Sequence, residues 1–261
     1  DLKGDYLVDN NDANLNLDLL IHSFKMKALN TLSLGEIKET SGSFSGDFKV
    51  TGTTSDPKYN GNLLFTNAAF KVAKLNAKFN LQKETLQVDN SGLHLSNFTI
   101  LDAEKNSLVL SGDIKTKSFI NPSFNLDVKA NKFRVLNATK ENNESLYGKV
   151  SFNVDAKLTG DLQIPKLNAK LVVGSDTDVT YVLPSSYTNI EERDGVVAFV
   201  NRENPDAILT QKQEQTATIT GFDIKALLKI DKKAAVNIII DKESGDNFKV
   251  SGDGDFIFLM N

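Results

Sequence analysis

Val150-Ser-Phe-Asn-Val-Asp-Ala-Lys-Leu-Thr-Gly160-Asp-Leu-Gln-Ile-Pro165-Lys-Leu-Asn-Ala-Lys-Leu171 is a stretch with two sides. Val150, Phe152, Val154, Ala156 and Leu158 alternate strictly with Ser151, Asn153, Asp155 and Lys157. A strand points successive side chains to opposite faces, so this run has one oily face and one wet face. Gly160 then turns the chain. Pro165, with no N–H to donate, blocks ladder pairing at one point. Leu167, Ala169, Leu171 and Val173 resume the alternation. The same arrangement occurs earlier: Gly52, Pro57 and Gly61 stand 108 positions before Gly160, Pro165 and Ala169. Strands flank that earlier copy, with Phe44, Phe48 and Val50 before it and Leu63 and Phe65 after it.

The theme recurs in both directions. Leu15, Leu17 and Leu19 form a strand; Asp1–Asn14 reads as a loop or the tail of a preceding strand. Phe70–Val72, then Ala77, Phe79 and Leu81, then Leu86 and Val88 follow the first module. Phe124, Leu126 and Val128 precede the second, and Val179, Tyr181 and Leu183 follow it. Val236, Ile238 and Ile240, then Phe256 and Phe258, carry the pattern to the C-terminus. Counting runs predicts roughly 18–20 strands at the spacing of an all-β chain. Ser-Gly, Asn-Gly and Asp-Gly pairs predict hairpins and mostly antiparallel neighbours. Few or no helices are expected. Phe24, Ala28 and Leu32 with Gly35 suggest one short helix or turn within 23–34. The polar stretch 201–215 reads as a mobile surface loop.

Composition excludes several classes. The chain has 261 residues, with 30 basic and 34 acidic side chains interleaved, so no basic footprint for nucleic acid exists. It has no Cys, which removes disulfides, zinc–thiolate sites and thiol catalysis. Phe outnumbers Tyr 16 to 5, favouring apolar area without polar handles. No apolar run approaches the roughly 18 residues that cross a bilayer. Phe256–Met260 reads as strand almost to the last residue. The whole of 1–261 is therefore expected to be one continuous β segment of a longer protein.

Three stretches resemble the TamB family of AsmA-like envelope proteins, in its C-terminal region and Bacteroidetes-type branch. The first is Gly46-Asp-Phe-Lys-Val-Thr-Gly52 with Pro57 and Gly61, repeated at Gly160, Pro165 and Ala169. The second is Thr180-Tyr-Val-Leu-Pro184 with Glu191-Glu-Arg-Asp-Gly195. The third is Ile238-Ile-Ile-Asp-Lys-Glu-Ser-Gly-Asp246 followed by Val250-Ser-Gly-Asp-Gly254. The resemblance implies a long U-shaped β-sheet trough, a β-taco, oily inside and polar outside. It implies a periplasmic location and an inner-membrane anchor outside this segment. It also implies an outer-membrane barrel partner of the Omp85 type. Two roles come with it: carrying phospholipid between membranes, and assembling outer-membrane proteins. The glycine- and tyrosine-rich section expected next is absent, in keeping with a segment of a longer chain.

The residues reach a related place independently. Leaving an oily strand face wet forgoes about 1.5–3 kcal/mol for each large side chain. A second sheet, the sheet's own curvature or a ligand must cover it. Acyl chains suit a continuous lining because they need no hydrogen bonds. The candidate lining comprises Phe48, Val50, Leu63, Phe65, Phe79 and Leu81 in the first half. Phe124, Leu126, Val128, Val150, Phe152, Val154, Leu158 and Leu171 follow in the middle. Val236, Ile238, Ile240, Phe256 and Phe258 complete it. A dry sandwich core, and hence a rigid β spacer, remains open on these residues alone. So does an assembly factor that adds strands to its sheet edge.

No enzymatic constellation stands out, and no cofactor or metal is expected. His22 and His94 are the two histidines, and neither has a ligand-spaced partner. Asp176 and Asp178 lack the rest of a calcium loop and read as a plain turn. Gly252-Asp-Gly254 lacks the third glycine and helix of a dinucleotide motif. The Asn-x-Ser/Thr triplets at Asn97, Asn137 and Asn143 carry no weight.

Overall fold

The structure is a computed structural model that describes residues 1–9, 12–33, 35–118, 120–182, 221, 223–240, 246–252 and 254–260. Alternating sequence becomes long strands. The first eight are β1 (Leu2–Asp9), β2 (Asp12–Lys25), β3 (Ile37–Thr53), β4 (Pro57–Val72), β5 (Ala77–Asp89), β6 (Gly92–Leu101), β7 (Ser107–Lys115) and β8 (Ser123–Ala138). β9 (Leu146–Asp161), β10 (Pro165–Val173) and β11 (Asp178–Val182) follow. β12 (Asp223–Ile230), β13 (Ala235–Ile239), β14 (Asn247–Ser251) and β15 (Gly254–Met260) complete the sheet. The stretch after β2 is a 3-10 turn at Met26–Ala28 and a single α turn, α1 (Leu29–Leu32).

All fifteen strands form one open, curved sheet. β1 to β10 pair antiparallel in chain order. At β9 the neighbour divides. Phe152–Gly160 pairs with β10, and Leu146–Lys149 pairs with β11. β10 lies parallel to β12, which pairs antiparallel with β15. β11 lies parallel to β13, which pairs antiparallel with β14. Two of these steps are therefore parallel. The breaks in the strands stack: Gly174 N–H donates to Ser151 O (2.8 Å), Asp231 N–H to Val173 O (3.2 Å), and Ala235 N–H to Thr177 O (2.9 Å).

Two expectations need correction, at the first residues and at Pro165. The first residues are not a loop, because β1 pairs with β2 from Leu2↔Leu19 to Asp9↔Asp12. The described residues hold fifteen strands, and neighbouring oily runs fuse in some of them: β3 alone takes in Ile37–Thr53. Pro165 does not block pairing. It opens β10 opposite Gly160, as Pro57 opens β4 opposite Gly52. The expected loop at 201–215 lies outside the described residues.

The Gly-Pro repeat has a steric reason. Gly52 and Gly160 sit at φ +85° and +82°, where a side chain is strained. A Cβ there would stand 2.5 Å from the Asp56 or Ile164 carbonyl oxygen. Each module is thus one tight hairpin reversal.

One face is oily over most of its extent, as cross-strand partners share a face; Glu84, opposite Phe65, is a charged exception. Phe48 links Leu19 to Gly61, and onward through Val88, Leu93 and Ile114 to Phe124. The phase slips in mid-strand. Lys132 and Asn97 adopt φ +49° and +54° at shifts of register in β8 and β6. Asn67 in β4 and Gly42 in β3 also have positive φ. Such bulges bend a strand and increase its twist, so they curve the sheet while returning oily residues to the same face.

The hairpin β6–β7 stops short and acts as a wedge. Beyond its tip β5 and the turn before it meet β8 directly: Asn137 N–H donates to Leu75 O (3.2 Å), and the Phe79 and Phe133 rings stack at 5.4 Å. Four strands at one rim become two at the other. We call the rim with turns 54–56, 90–91 and 162–164 the lower rim. The rim with turns 73–76, 102–106 and 139–145 is the upper rim.

Candidate functional site: an oily groove

The oily face changes character between the rims. In the upper half, Ala77, Phe79 and Phe133 are buried, with Phe70 and Phe152 packed against them. Phe70, Phe79, Phe133 and Phe152 form a rung with centroid spacings of 5.7, 5.4 and 6.2 Å. A second rung runs Phe24–Phe44–Phe65–Phe98 at 5.0, 5.8 and 5.9 Å. Met26, buried to 3 % exposure, joins Ala68, Leu81, Leu95, Phe98 and Leu126 beside it. Toward the lower rim the oily residues are only half-buried: Leu17, Leu19, Phe48, Val50, Leu63, Val88, Leu93, Ile114 and Phe124. Among the described residues one sheet accounts for all the strands, and the main contact between strands that are not ladder partners is that of β5 with β8.

The residues singled out from the sequence distribute as follows. Phe79, Leu81 and Leu126 are buried. Phe48, Val50, Leu63, Phe65, Phe124, Val128, Val150, Phe152, Val154, Leu158 and Leu171 are half-buried on the same register face. Leu126 faces Leu158, Val128 faces Ala156, and Val154 faces both Ala130 and Leu171. Val236 and Ile238 pair with Val179 and Tyr181 on the other branch of the sheet. Ile240 lies past the end of β13 and is exposed, as is Phe256. Phe258 stands opposite Ala226. Sequence reading missed Met26, which sits outside any alternation. It also missed Leu19, Val88, Leu93 and Ile114 as a row, because only the register aligns them.

The polar face carries two titratable clusters that the sequence did not reveal. His94 bridges three strands: Nδ1 lies 2.6 Å from Asp113 on β7, and Nε2 lies 3.1 Å from Asp89 on β5. Its pKa is raised, first by the hydrogen bond to Asp113 and then by that to Asp89. Asp89 is held below the usual carboxylate range by hydrogen bonds from Ser91 and His94. Ser91 Oγ lies 3.2 Å from His94 Nε2 and has a Ser-His-Asp outline, but it donates to Asp89 at 2.6 Å. An imidazole engaged by carboxylates on both nitrogens has no free base to offer a hydroxyl.

At the upper rim Arg134 joins Glu104 in one turn to Asp176 in another. Burial works against both charged forms. The pairing outweighs it, raising Arg134 and, with a bond from Ser151, lowering Asp176. The Gly174–Asp178 stretch is thus a structural tie. Among the described residues no group of three or more His, Asp or Glu side chains could hold a metal, and no helix is long and apolar enough to cross a membrane.

The model of the TamB C-terminal domain matches residues 96–261, well over half of the chain. The chain belongs to the TamB family. That is a family of cell-envelope proteins associated with envelope assembly. The matched range holds the second and third resembling stretches and the second Gly-Pro module; the first module at Gly46–Gly61 precedes it. No curated protein and no solved structure matches the chain.

Proposed function

We propose that this TamB-family chain is a periplasmic section of a bridge-like carrier that conducts phospholipid acyl chains along its oily face. The carrying observation is the half-buried row Leu19–Phe48–Val88–Leu93–Ile114–Phe124, which crosses seven strands from β2 to β8. A guest methylene leaving water for such a lining gains about 0.8 kcal/mol, and neighbouring stations are chemically alike, so a tail slides with little barrier. Headgroups stay in water at the open margin. No bond is made or broken on this reading. An inner-membrane anchor and an Omp85-type barrel would hold the two ends of the bridge.

A second reading has its own support. Among the described residues β1 pairs with β2 alone, and Leu2, Tyr6 and Val8 are 62 %, 59 % and 73 % exposed. An amphipathic sheet edge of this kind can take a further strand, which is how an assembly factor would hold a barrel strand. Organic extraction of the purified chain followed by mass spectrometry tests the first reading. Co-purifying phospholipid is the expected result. A lipid-free protein that still binds barrel-strand peptides would favour the second, and one that binds neither would be a spacer.

A further inference from the structure

β5 and β6 keep one register at both ends and lack ladder pairs in the middle. Asn80 stands opposite Leu101, and Gln87, Val88 and Asp89 stand opposite His94, Leu93 and Gly92. Between these points Leu81–Leu86 and Leu95–Ile100 have no ladder partners in each other. Both strands remain paired with their other neighbours, β4 and β7, along this length. At about 3.3 Å per residue the seam is roughly 20 Å long. Its cause lies in β6. Asn97, at φ +54°, sits at a register shift against β7 between Leu95 and Phe98 and bends the strand.

Side chains close the seam where backbone does not. Glu84 stands opposite Phe65, and its carboxylate accepts the Thr99 N–H at 2.9 Å, taking the place of a β5 carbonyl. His94 clamps the lower end through Asp89 and Asp113. Asn80 Nδ2 reaches the Asp102 carbonyl at 3.4 Å at the upper end. Leu81, Leu95 and Phe98 are buried at the seam, whereas Gln82, Lys83, Thr85, Ser96 and Asn97 are exposed.

We infer that this seam is a lateral port of the groove, through which an acyl chain passes between the oily face and the polar side without travelling to either end. The inference rests on the lipid-carrier reading. Parting β5 from β6 here breaks the Glu84–Thr99 bond and loosens Leu81, Leu95 and Phe98 in their buried cluster, whereas parting β8 from β9 breaks a long ladder.

Hydrogen exchange on the unmodified chain is the first test. The Leu95–Ile100 amides on the seam should exchange about tenfold faster than those of Leu126–Ala130, and about tenfold faster again in Glu84→Ala. Release of a fluorescent fatty acid, followed by stopped flow, is the second. Glu84→Ala should speed release several-fold at unchanged stoichiometry, and Glu84→Gln, which keeps an acceptor, should fall between. Equal protection of the two segments overturns the port, as does faster exchange with unchanged release. A wild-type chain that binds no fatty acid defeats the carrier reading, and the port with it.

Discussion

Removing the Asp102 carboxylate would strand four donors at once. It accepts from the Glu104 N–H (2.8 Å), the Asn106 N–H (2.8 Å), the Asn106 side-chain amide (2.9 Å) and the Arg134 N–H (2.8 Å), at 1 % exposure. These bonds tie the wedge hairpin to β8. Asp102→Ala should cost about 3 kcal/mol or more, read as a lower urea midpoint. His94 gives a pH dependence. Its raised pKa means that its contribution is complete below about 6.5, the unfolded value, and is lost as pH rises through the folded value. Asp89, lowered, contributes above the usual carboxylate range and loses that contribution in acid. His94→Gln should therefore cost on the order of 1 kcal/mol near pH 6 and progressively less toward pH 9, by denaturation at each pH. An equal cost at both values would mean that the imidazole acts as a neutral packing group.

At the scale of elements, the aromatic rung and the bulges decide how the strands meet. Phe133, 2 % exposed, stacks on Phe79 across the gap that the β6–β7 tip leaves. Phe133→Ala should cost about 3–5 kcal/mol, seen as a lowered melting temperature, because the site is bounded by backbone that cannot collapse. The alternation in the sequence revealed most strands, yet it also hid their lengths. Each positive-φ residue shifts the phase by one, so a single long strand such as β8 reads as two short runs. Glycine-rich turns were legible because Gly160 and Gly52 meet a carbonyl oxygen within their own hairpins. The wedge was not, since nothing local in Leu108 or Leu110 says where β5 will touch β8.

For the whole molecule, the two faces divide the labour. The polar face is laced with exposed pairs, Asp18–Lys49 at 3.0 Å and Asp127–Lys157 at 3.1 Å among them. Such pairs add little stability each, but they keep that face in water and leave the other to carry oil. A charge set into the oily face should therefore spare the fold and harm the cargo. Val154 is half-buried between Ala130 and Leu171. Val154→Glu should lower co-purifying lipid about tenfold while the strand signature in circular dichroism persists. Unchanged lipid in that variant would place the guest elsewhere.

The amino-acid pattern by itself determined the class of structure: period-two alternation makes amphipathic strands, and Gly-Pro reversals join them into a meander with one oily side. Those are consequences of neighbours along the chain, so they are written in it. Whether that side closes on a second layer or stays open was decided only in three dimensions. It depends on register, on bulges that steer curvature, and on where β5 and β8 meet. The same holds for the half-buried row at the lower rim and the seam beside it. Both are made by residues far apart in sequence, which only hydrogen-bonded pairing brings side by side.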